Sequence, residues 1–234
     1  MSWAVSLRNP LAVYVGAVGR QYGVEGVAVI QGESKLDSID RVEIRLGLAD
    51  QYRRQAAELY YEAFRQKFEP IMNSQEDGVA ILEESFAPDL GIIALCRDEL
   101  VGAAGLKYGG RDFVHFKASG LVRQYGWLRG LFKLVLLYVC FAKRQTKDEL
   151  TIDSIVVHPA MRGKGIGTRL LEAVFDYARA GGFRSVRLEV VDTNPGARHL
   201  YERMGFVPTE THKHPYLRRV MGFSASITMV REVT

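Results

Sequence analysis

Six consecutive residues in the second half of the chain combine bare backbone with positive charge. The segment "RGKGIG", Arg162 to Gly167, follows a β-branched run and precedes a helical repeat. The first N–H groups of a helix have no partner within the helix and lie at the positive end of its dipole, so they bind anions. The three glycines, Gly163, Gly165 and Gly167, would let a phosphate approach, and the flanking cations add charge. The segment therefore predicts a phosphate-binding turn between a strand and a helix.

The spacing of this segment differs from two common phosphate-binding motifs. A dinucleotide-binding turn has the pattern Gly-x-Gly-x-x-Gly, and a Walker loop has Gly-x-x-x-x-Gly-Lys-Ser/Thr. This chain has Arg-x-x-Gly-x-Gly instead. A tight strand-to-helix turn without a ligand is the alternative interpretation of the same residues.

The composition is that of an ordinary globular protein. The chain has 234 residues, 47% of them hydrophobic, and a net charge of +4, which falls short of a nucleic-acid footprint. We therefore expect no nucleic-acid partner. Cys96 and Cys140 lie in apolar runs and are expected to be buried in a reducing compartment. No metal site is predicted, because no Cys or carboxylate cluster accompanies His212 and His214, which are expected in a solvent-facing loop.

Two apolar stretches are too short to cross a membrane. Leu11–Val18 lacks a clear cleavage site of small residues, so a signal peptide is not expected. Leu134–Ala142 falls far below the roughly 20 residues of a spanning helix. The chain is expected to be cytoplasmic, without stable membrane insertion.

The spacing of apolar residues predicts the elements that position the turn. Alternation predicts strands at 41–47, 91–96, 100–106, 150–157, 185–191 and 227–233, with 97–99 as a polar turn. Helical spacing predicts helices at 50–64, at 71–82 with a break at Asp77–Gly78, at about 125–143, at 167–180 and from Asn194–Pro195 onward. This order predicts an α/β fold with helices covering a mixed sheet. Residues 1–40 are expected to form an extension of undetermined structure, ahead of one domain at 41–234.

Two blocks of sequence resemble the GNAT-type N-acetyltransferase superfamily. "IDSIVVHPAMRGKGIGTRLLEAV" is similar to the family's pyrophosphate-binding segment, whose pattern is Arg/Gln-x-x-Gly-x-Gly/Ala. "LEVVDTNPGARHLYERMGF" is similar to its second block: a strand, an Asn, a helix ending in Leu-Tyr, then Gly-Phe. The resemblance implies the GNAT fold, an α/β (α+β) arrangement. Its mostly antiparallel central sheet is splayed between the fourth and fifth strands and covered by helices on both faces.

The resemblance also implies acetyl-CoA as cosubstrate and an amine as acceptor. The pantetheine arm would lie in the gap between the splayed strands, against exposed backbone groups of the fourth strand, and the turn would hold the pyrophosphate. The implied cofactor-binding residues are Ile155, Val156, Val157, Arg162, Gly163, Lys164, Gly165, Ile166, Gly167, Thr168, Asn194 and Tyr201.

Direct attack of an amine on the thioester needs an acid and a base. Tyr201 occupies the family's usual acid position, and packing in the core is its alternative role. Glu189 and Asp153 are both candidate bases. An ion pair with Arg187 or Arg184 is the alternative role for Glu189.

The predicted function is acetyl transfer from acetyl-CoA to a primary amine of a small molecule, peptide or protein. An acyl-CoA-binding sensor or regulatory protein without turnover is the alternative. Tyr201 and the two carboxylates favour the enzyme.

The segment at about 109–149, between the third and fourth strands, is an insertion relative to that family. Its part "YGWLRGLFKLVLLYVCFAKR" is apolar nearly all round, and such a helix is expected to be buried. Four roles are open, in this order: covering the acceptor side of the sheet, a homodimer interface, an apolar acceptor site, or contact with a membrane.

Overall fold

One mixed sheet organises the described part of the chain, for which the computed structural model gives residues 29–30, 42–141, 148–213, 218 and 222–233. Its strands are β1 (Val29–Ile30), β2 (Val42–Leu46), β3 (Gly91–Cys96), β4 (Glu99–Tyr108), β5 (Arg111–Asp112), β6 (Glu149–Val157), β7 (Ser185–Val191), β8 (Val207–Lys213) and β9 (Ala225–Glu232). The order is β1-β2-β3-β4-β6-β7-β9-β8, and β5 pairs with β4. All neighbours are antiparallel except β6 and β7. The predicted mixed, mostly antiparallel sheet is confirmed.

Seven α-helices accompany the sheet in the described residues. They are α1 (Arg53–Ala63), α2 (Arg65–Phe68), α3 (Gln75–Ser85), α4 (Ala118–Tyr125), α5 (Trp127–Phe141), α6 (Ile166–Ala180) and α7 (Pro195–Arg203). The predicted break at Asp77–Gly78 is wrong. Ser74 caps α3 by accepting a hydrogen bond from the N–H of Asp77, and Gly78 lies inside the helix. The glycine is needed for packing, because an added Cβ would lie 2.3 Å from the ring of Tyr61.

Two glycines of β4 show that helices cover both faces of the sheet. A Cβ on Gly102 would lie 3.2 Å from Ile166 and Leu170 of α6, whereas a Cβ on Gly105 would lie 2.5 Å from Phe113. Residues three apart on a strand point to opposite faces. Phe113 in turn packs on Tyr60 of α1, with 6.1 Å between the ring centroids. We refer to the two sides as the α6 face and the α1 face, and the prediction of helices on both faces is confirmed.

The parallel pair β6–β7 is joined at one end only. The pairing consists of Glu149 with Ser185, Leu150 with Val186, and Thr151 with Arg187. Residues 152–157 of β6 and 188–191 of β7 have no partner in each other. These are the fourth and fifth predicted strands, and they are splayed as expected.

A β-bulge lies in β6 just beyond the last paired position. On the β4 side, Ile152 is opposite Leu106 and Ser154 is opposite Gly105, so Asp153 is an extra residue in the ladder. Such a residue bends its strand and increases the local twist. The bulge therefore lies where β6 turns away from β7.

The insertion forms two helices rather than the single predicted one. Gly126 separates them with a φ of 78°, outside the helical region. The helices pack closely because Gly130 has no side chain, and an added Cβ would lie 2.7 Å from the carbonyl oxygen of Leu121. Residues 142–147, which include the end of the predicted helix at about 143, lie outside the described part, as does the side chain of Cys140. Cys96 is buried, as predicted.

The expectation that this helix is buried is wrong for the described chain. Leu137 is fully buried, but much of α5 faces outward, and the exposed fraction reaches 81% for Leu128 and 65% for Phe132. The expectation assumed neighbours on all sides, whereas α5 packs mainly against α4. No described helix is long and apolar enough to cross a bilayer.

Strand β8 was not predicted. His212 lies on this strand rather than in the expected solvent-facing loop, and His214 lies outside the described residues. No group of three or more potential metal ligands gathers in the described part of the chain.

Candidate active site

The glycine-rich turn presents an uninterrupted series of unused donors. Helix α6 begins at Ile166, and its first hydrogen bond runs from the N–H of Arg169 to the carbonyl oxygen of Gly165. The six backbone N–H groups from Gly163 to Thr168 donate to no acceptor among the described residues. Gly163 and Gly165 have φ values of 75° and 78°, which disfavour other residues. The turn is therefore shaped to bind an anion with backbone donors.

The third glycine of the motif also makes room for a neighbouring helix. A Cβ on Gly167 would lie 3.1 Å from the side chain of Leu200 on α7. Gly167 thus lets α7 pack against the first turn of α6, and only its N–H takes part in the series of donors. The two cations of the turn are exposed, with the Nε of Arg162 donating to the carbonyl oxygen of Val157 over 3.2 Å.

The bulge determines which backbone groups of β6 face the gap. The N–H of His158 donates to the carbonyl oxygen of Val101 on β4. Because hydrogen-bonded pairs alternate along an antiparallel ladder, Val156 pairs with Ala103, and Ile155 and Val157 direct their backbone groups away from β4. Of the three predicted backbone contacts, two therefore face the gap. The backbone of Val156 is engaged with β4.

Asn194 and Tyr201 lie on α7, on the α6 face. Asn194 caps the helix, its Oδ1 accepting from the N–H of Ala197 over 3.1 Å, which leaves its Nδ2 as a donor. Tyr201 packs edge-on against Phe206, with 5.9 Å between centroids. Its hydroxyl has no hydrogen-bond partner among the described residues, and burial raises its pKa to about 12. The predicted packing and an available proton therefore coexist in one side chain.

The two candidate bases occupy equivalent positions on opposite sides of the gap. Thr151 and Arg187 form the last parallel pair, and Asp153 and Glu189 each lie two residues further along. Alternation from Arg187 places Glu189 on the α1 face, and Asp153 lies on the same face near Tyr60, whose pKa is raised by burial and by the charge of Asp153. This face is opposite the one that carries Tyr201. Both are partly buried.

The alternative role of Glu189 in an ion pair is not what the structure shows. The guanidinium of Arg187 lies 3.8 Å from Glu149 and 3.9 Å from Glu210. Neither Arg187 nor Arg184 forms an ion pair with Glu189 among the described residues.

A polar row that the sequence did not predict continues from Glu189 across the sheet. Glu189 is opposite Thr228 of β9, and Thr228 is opposite Glu210 of β8. Directly opposite residues share a face, so these three side chains are neighbours. Thr228 is fully buried, and its hydroxyl has no partner within the described residues. The alternation of "ITMVREV" was the available signal for Thr228, whereas Glu210 required knowledge of β8.

Comparison with known proteins shows to which family the chain belongs. A family model described as the Acetyltransferase (GNAT) family matches residues 49–206. The chain belongs to this family. Streptothricin acetyltransferase of Streptomyces lavendulae is 49% identical over 59 residues, 25% of this chain and 31% of that protein. Two N-acetyltransferase relatives, one from Methanocaldococcus jannaschii and one from Xenopus tropicalis, are matched over 30% and 32% of their length. The chain thus spans about a third of the length of these relatives.

Solved structures of acetyltransferases share the fold. An N-acetyltransferase from Staphylococcus aureus Mu50 is 15% identical with a TM-score of 0.58, over 80% of this chain and 99% of that one. A second structure, yncA, a putative acetyltransferase from Salmonella typhimurium with its cofactor acetyl-CoA, is 15% identical with a TM-score of 0.52. It covers 82% of this chain and 94% of that one. At these identities the likeness establishes the fold alone.

Proposed function

We propose that the protein is a cytoplasmic N-acetyltransferase that uses acetyl-CoA to acetylate a primary amine. The observation that carries the proposal is the series of six unused N–H groups at the start of α6, beside a gap that exposes the backbone of β6. Two exposed cations, Arg162 and Lys164, flank these donors. This combination suits a pyrophosphate joined to an extended amide-containing arm.

The residues around the gap have complementary roles in binding. The N–H groups of 163–168 hold the pyrophosphate, and the backbone groups of Ile155 and Val157 pair with the amides of the arm. Asn194 keeps its cap through Oδ1 and donates from Nδ2. When bound, acetyl-CoA supplies an acetyl group activated as a thioester.

Proton transfer is divided between the two faces of the sheet. On the α1 face, Glu189 or Asp153 accepts the proton that the attacking ammonium must lose. On the α6 face, Tyr201 donates its hydroxyl proton to the departing sulfur. The raised pKa of Tyr201 keeps this proton in place at neutral pH, so the donor is available in each cycle.

The acceptor is a cation before it reacts, and the α1 face favours one. Glu189 lies at the gap and forms no ion pair with the described residues, whereas Glu210 already lies close to Arg187 and His212. An ammonium has three donors and no acceptor, so the carboxylates of Glu189 and Asp153 suit it.

The test is release of thiol from acetyl-CoA across a panel of amines. The panel contains polyamines, aminoglycosides, amino acids, peptides with free N-termini and streptothricin, the last because of the name of one relative. Turnover with one class, abolished when that amine is protected beforehand, is the expected result. Calorimetric binding of acetyl-CoA without turnover of any amine would instead favour the sensor alternative. Absence of binding would contradict both.

A further inference from the structure

The strongest feature that acetyl transfer does not use is the outer surface of α5. We call the apolar part of this surface the α5 patch, and its members share high exposure: Trp127, Leu128, Leu131, Phe132, Val135 and Tyr138. At about 100° per residue, these six side chains occupy about 140° of the helix circumference. The buried contacts of the helix, including Gly130 and Leu137, lie outside this arc. The patch is thus a continuous apolar face directed away from the protein.

The segment that contains the patch is rich in cations. From Phe113 to Lys147 the sequence contains seven Lys and Arg residues and no Asp or Glu, although Arg123 pairs with Glu84 of α3. Next to the arc on α5, Arg129 is exposed and forms no ion pair with the described residues. Lys133, one turn further along the same flank, is held against the protein by the carbonyl oxygen of Ile71 and by Asn73. The apolar arc is therefore bordered by positive charge.

We propose that the α5 patch docks on an anionic lipid membrane, with the helix lying in the plane of the surface. An apolar face that contains Trp, Leu and Phe, flanked by cations, is typical of interfacial helices. The helix has 15 residues and is about 22 Å long, shorter than the roughly 30 Å of a bilayer core, so it does not span. Trp127 and Tyr138, near the ends of the patch, are suited to the headgroup region.

Charge favours a membrane over a second copy of the chain. A symmetric dimer through this face would bring the same patch of both copies together. It would also bring the exposed Arg129 of each copy, which forms no ion pair with the described residues, to the same interface, and like charges at an interface oppose association. An anionic lipid surface complements the same charges.

The test measures binding of the full-length protein to vesicles by co-sedimentation. Vesicles of phosphatidylcholine are compared with vesicles that also contain phosphatidylglycerol. We expect binding to the anionic vesicles and weakening of this binding by salt.

Leu128→Glu and Phe132→Glu, both at exposed positions, should each reduce binding more than about tenfold. Val207→Glu, also at an exposed apolar position (62%) but on β8, is the matched control and should bind like the wild type. Arg129→Gln should weaken binding about fivefold.

A spectroscopic measurement locates the contact. The chain has two tryptophans, Trp3 and Trp127, so Trp3→Phe isolates the emission of Trp127. Anionic vesicles should shift this emission to the blue and brominated lipids should quench it. These readouts do not depend on acetyl transfer.

Three results would overturn the proposal. Equal binding to both kinds of vesicle would contradict the role of anionic lipid. If the protein does not bind vesicles and forms a dimer that Leu128→Glu dissociates, the patch is an interface with a second copy. A monomer that ignores vesicles and whose Trp127 is shielded from aqueous quenchers would assign it to another part of the same chain.

Discussion

Helices α5 and α6 have the same length, 15 residues, and opposite relations to the protein. Helix α6 buries its apolar residues against the sheet, including Leu170, Leu171 and Val174, and none of its apolar side chains is exposed. Helix α5 is the more apolar of the two and leaves six large apolar side chains exposed. The difference shows that burial depends on how many neighbours the topology supplies. Helix α6 follows a strand back across the sheet, whereas α5 belongs to an inserted hairpin.

The largest expected difference between the two regions is in turnover. Tyr201→Phe, beside α6, keeps the ring that packs on Phe206 but removes the donated proton. It should lower turnover by roughly 10² to 10⁴ while the affinity for acetyl-CoA stays the same. Tyr138→Phe, on the exposed face of α5, should leave turnover unchanged. Steady-state kinetics and calorimetry check both, and a Tyr201→Phe enzyme within threefold of the wild type would remove Tyr201 from the mechanism.

The next largest expected effect is on the free energy of unfolding. The same change, Leu to Ala, is made in each of the two helices. Leu171→Ala empties a fully buried position of α6 and should lower the free energy of unfolding by about 2–5 kcal/mol. Leu128→Ala on α5 should change it by less than about 0.5 kcal/mol. Urea denaturation followed by circular dichroism measures both values. Comparable losses for the two variants would show that the α5 patch is covered in solution.

A third prediction compares the two ends of α6. Gly165→Val places a side chain among the phosphate-binding N–H groups and should weaken acetyl-CoA binding at least about tenfold, or 1.4 kcal/mol. Gly182→Val, just after the C-terminal end, has a similar φ (73° against 78°) and equal open space around its Cα. The control should therefore suffer the same backbone strain without the loss of affinity. Calorimetry on both folded variants decides, and equal affinities would contradict a phosphate site at the turn. Gly163→Ala is also expected to be disruptive, because its φ is positive.

The smallest expected effect is an absence of pH dependence. Burial raises the pKa of Tyr201 to about 12, so the phenol stays protonated up to about pH 10. Its loss of a proton should therefore not reduce turnover between about pH 8 and pH 10. The same sign holds for stability: the contribution of the neutral phenol is complete below about pH 10 and is lost as the pH rises towards 12. A fall in turnover near pH 9 that is missing in Tyr201→Phe would contradict the shifted pKa.

The sequence predicted those parts of the molecule in which local residue types determine the backbone. The alternation of "SVRLEVV" and the glycines before α6 depend on short-range sterics, and the strands and the turn were found where expected. Strand β8 was not predicted because it is exposed on both faces, so polar and apolar residues do not alternate along it. The covering of α5 is a long-range property that hydrophobicity alone does not determine.

The candidate site also contains residues that the local sequence predicts and residues that depend on the assembled fold. The positions of Asn194 and Tyr201 follow from helical spacing, and both lie on α7 as expected. The engagement of Val156 with β4 depends on the bulge, for which the sequence has no clear signal. The contact between Gly167 and Leu200 depends on the packing of two helices. Each of these required the assembled sheet.

The extra residue in β6 also links the regularity of the β4–β6 ladder to the presence of the gap beside β7. Without Asp153, Ile152 and Ser154 would be consecutive opposite Leu106 and Gly105, and the β4–β6 ladder would become regular. A straighter β6 would continue beside β7, add hydrogen bonds between them and close the gap. Deleting this one residue should therefore repair the sheet and abolish the cleft.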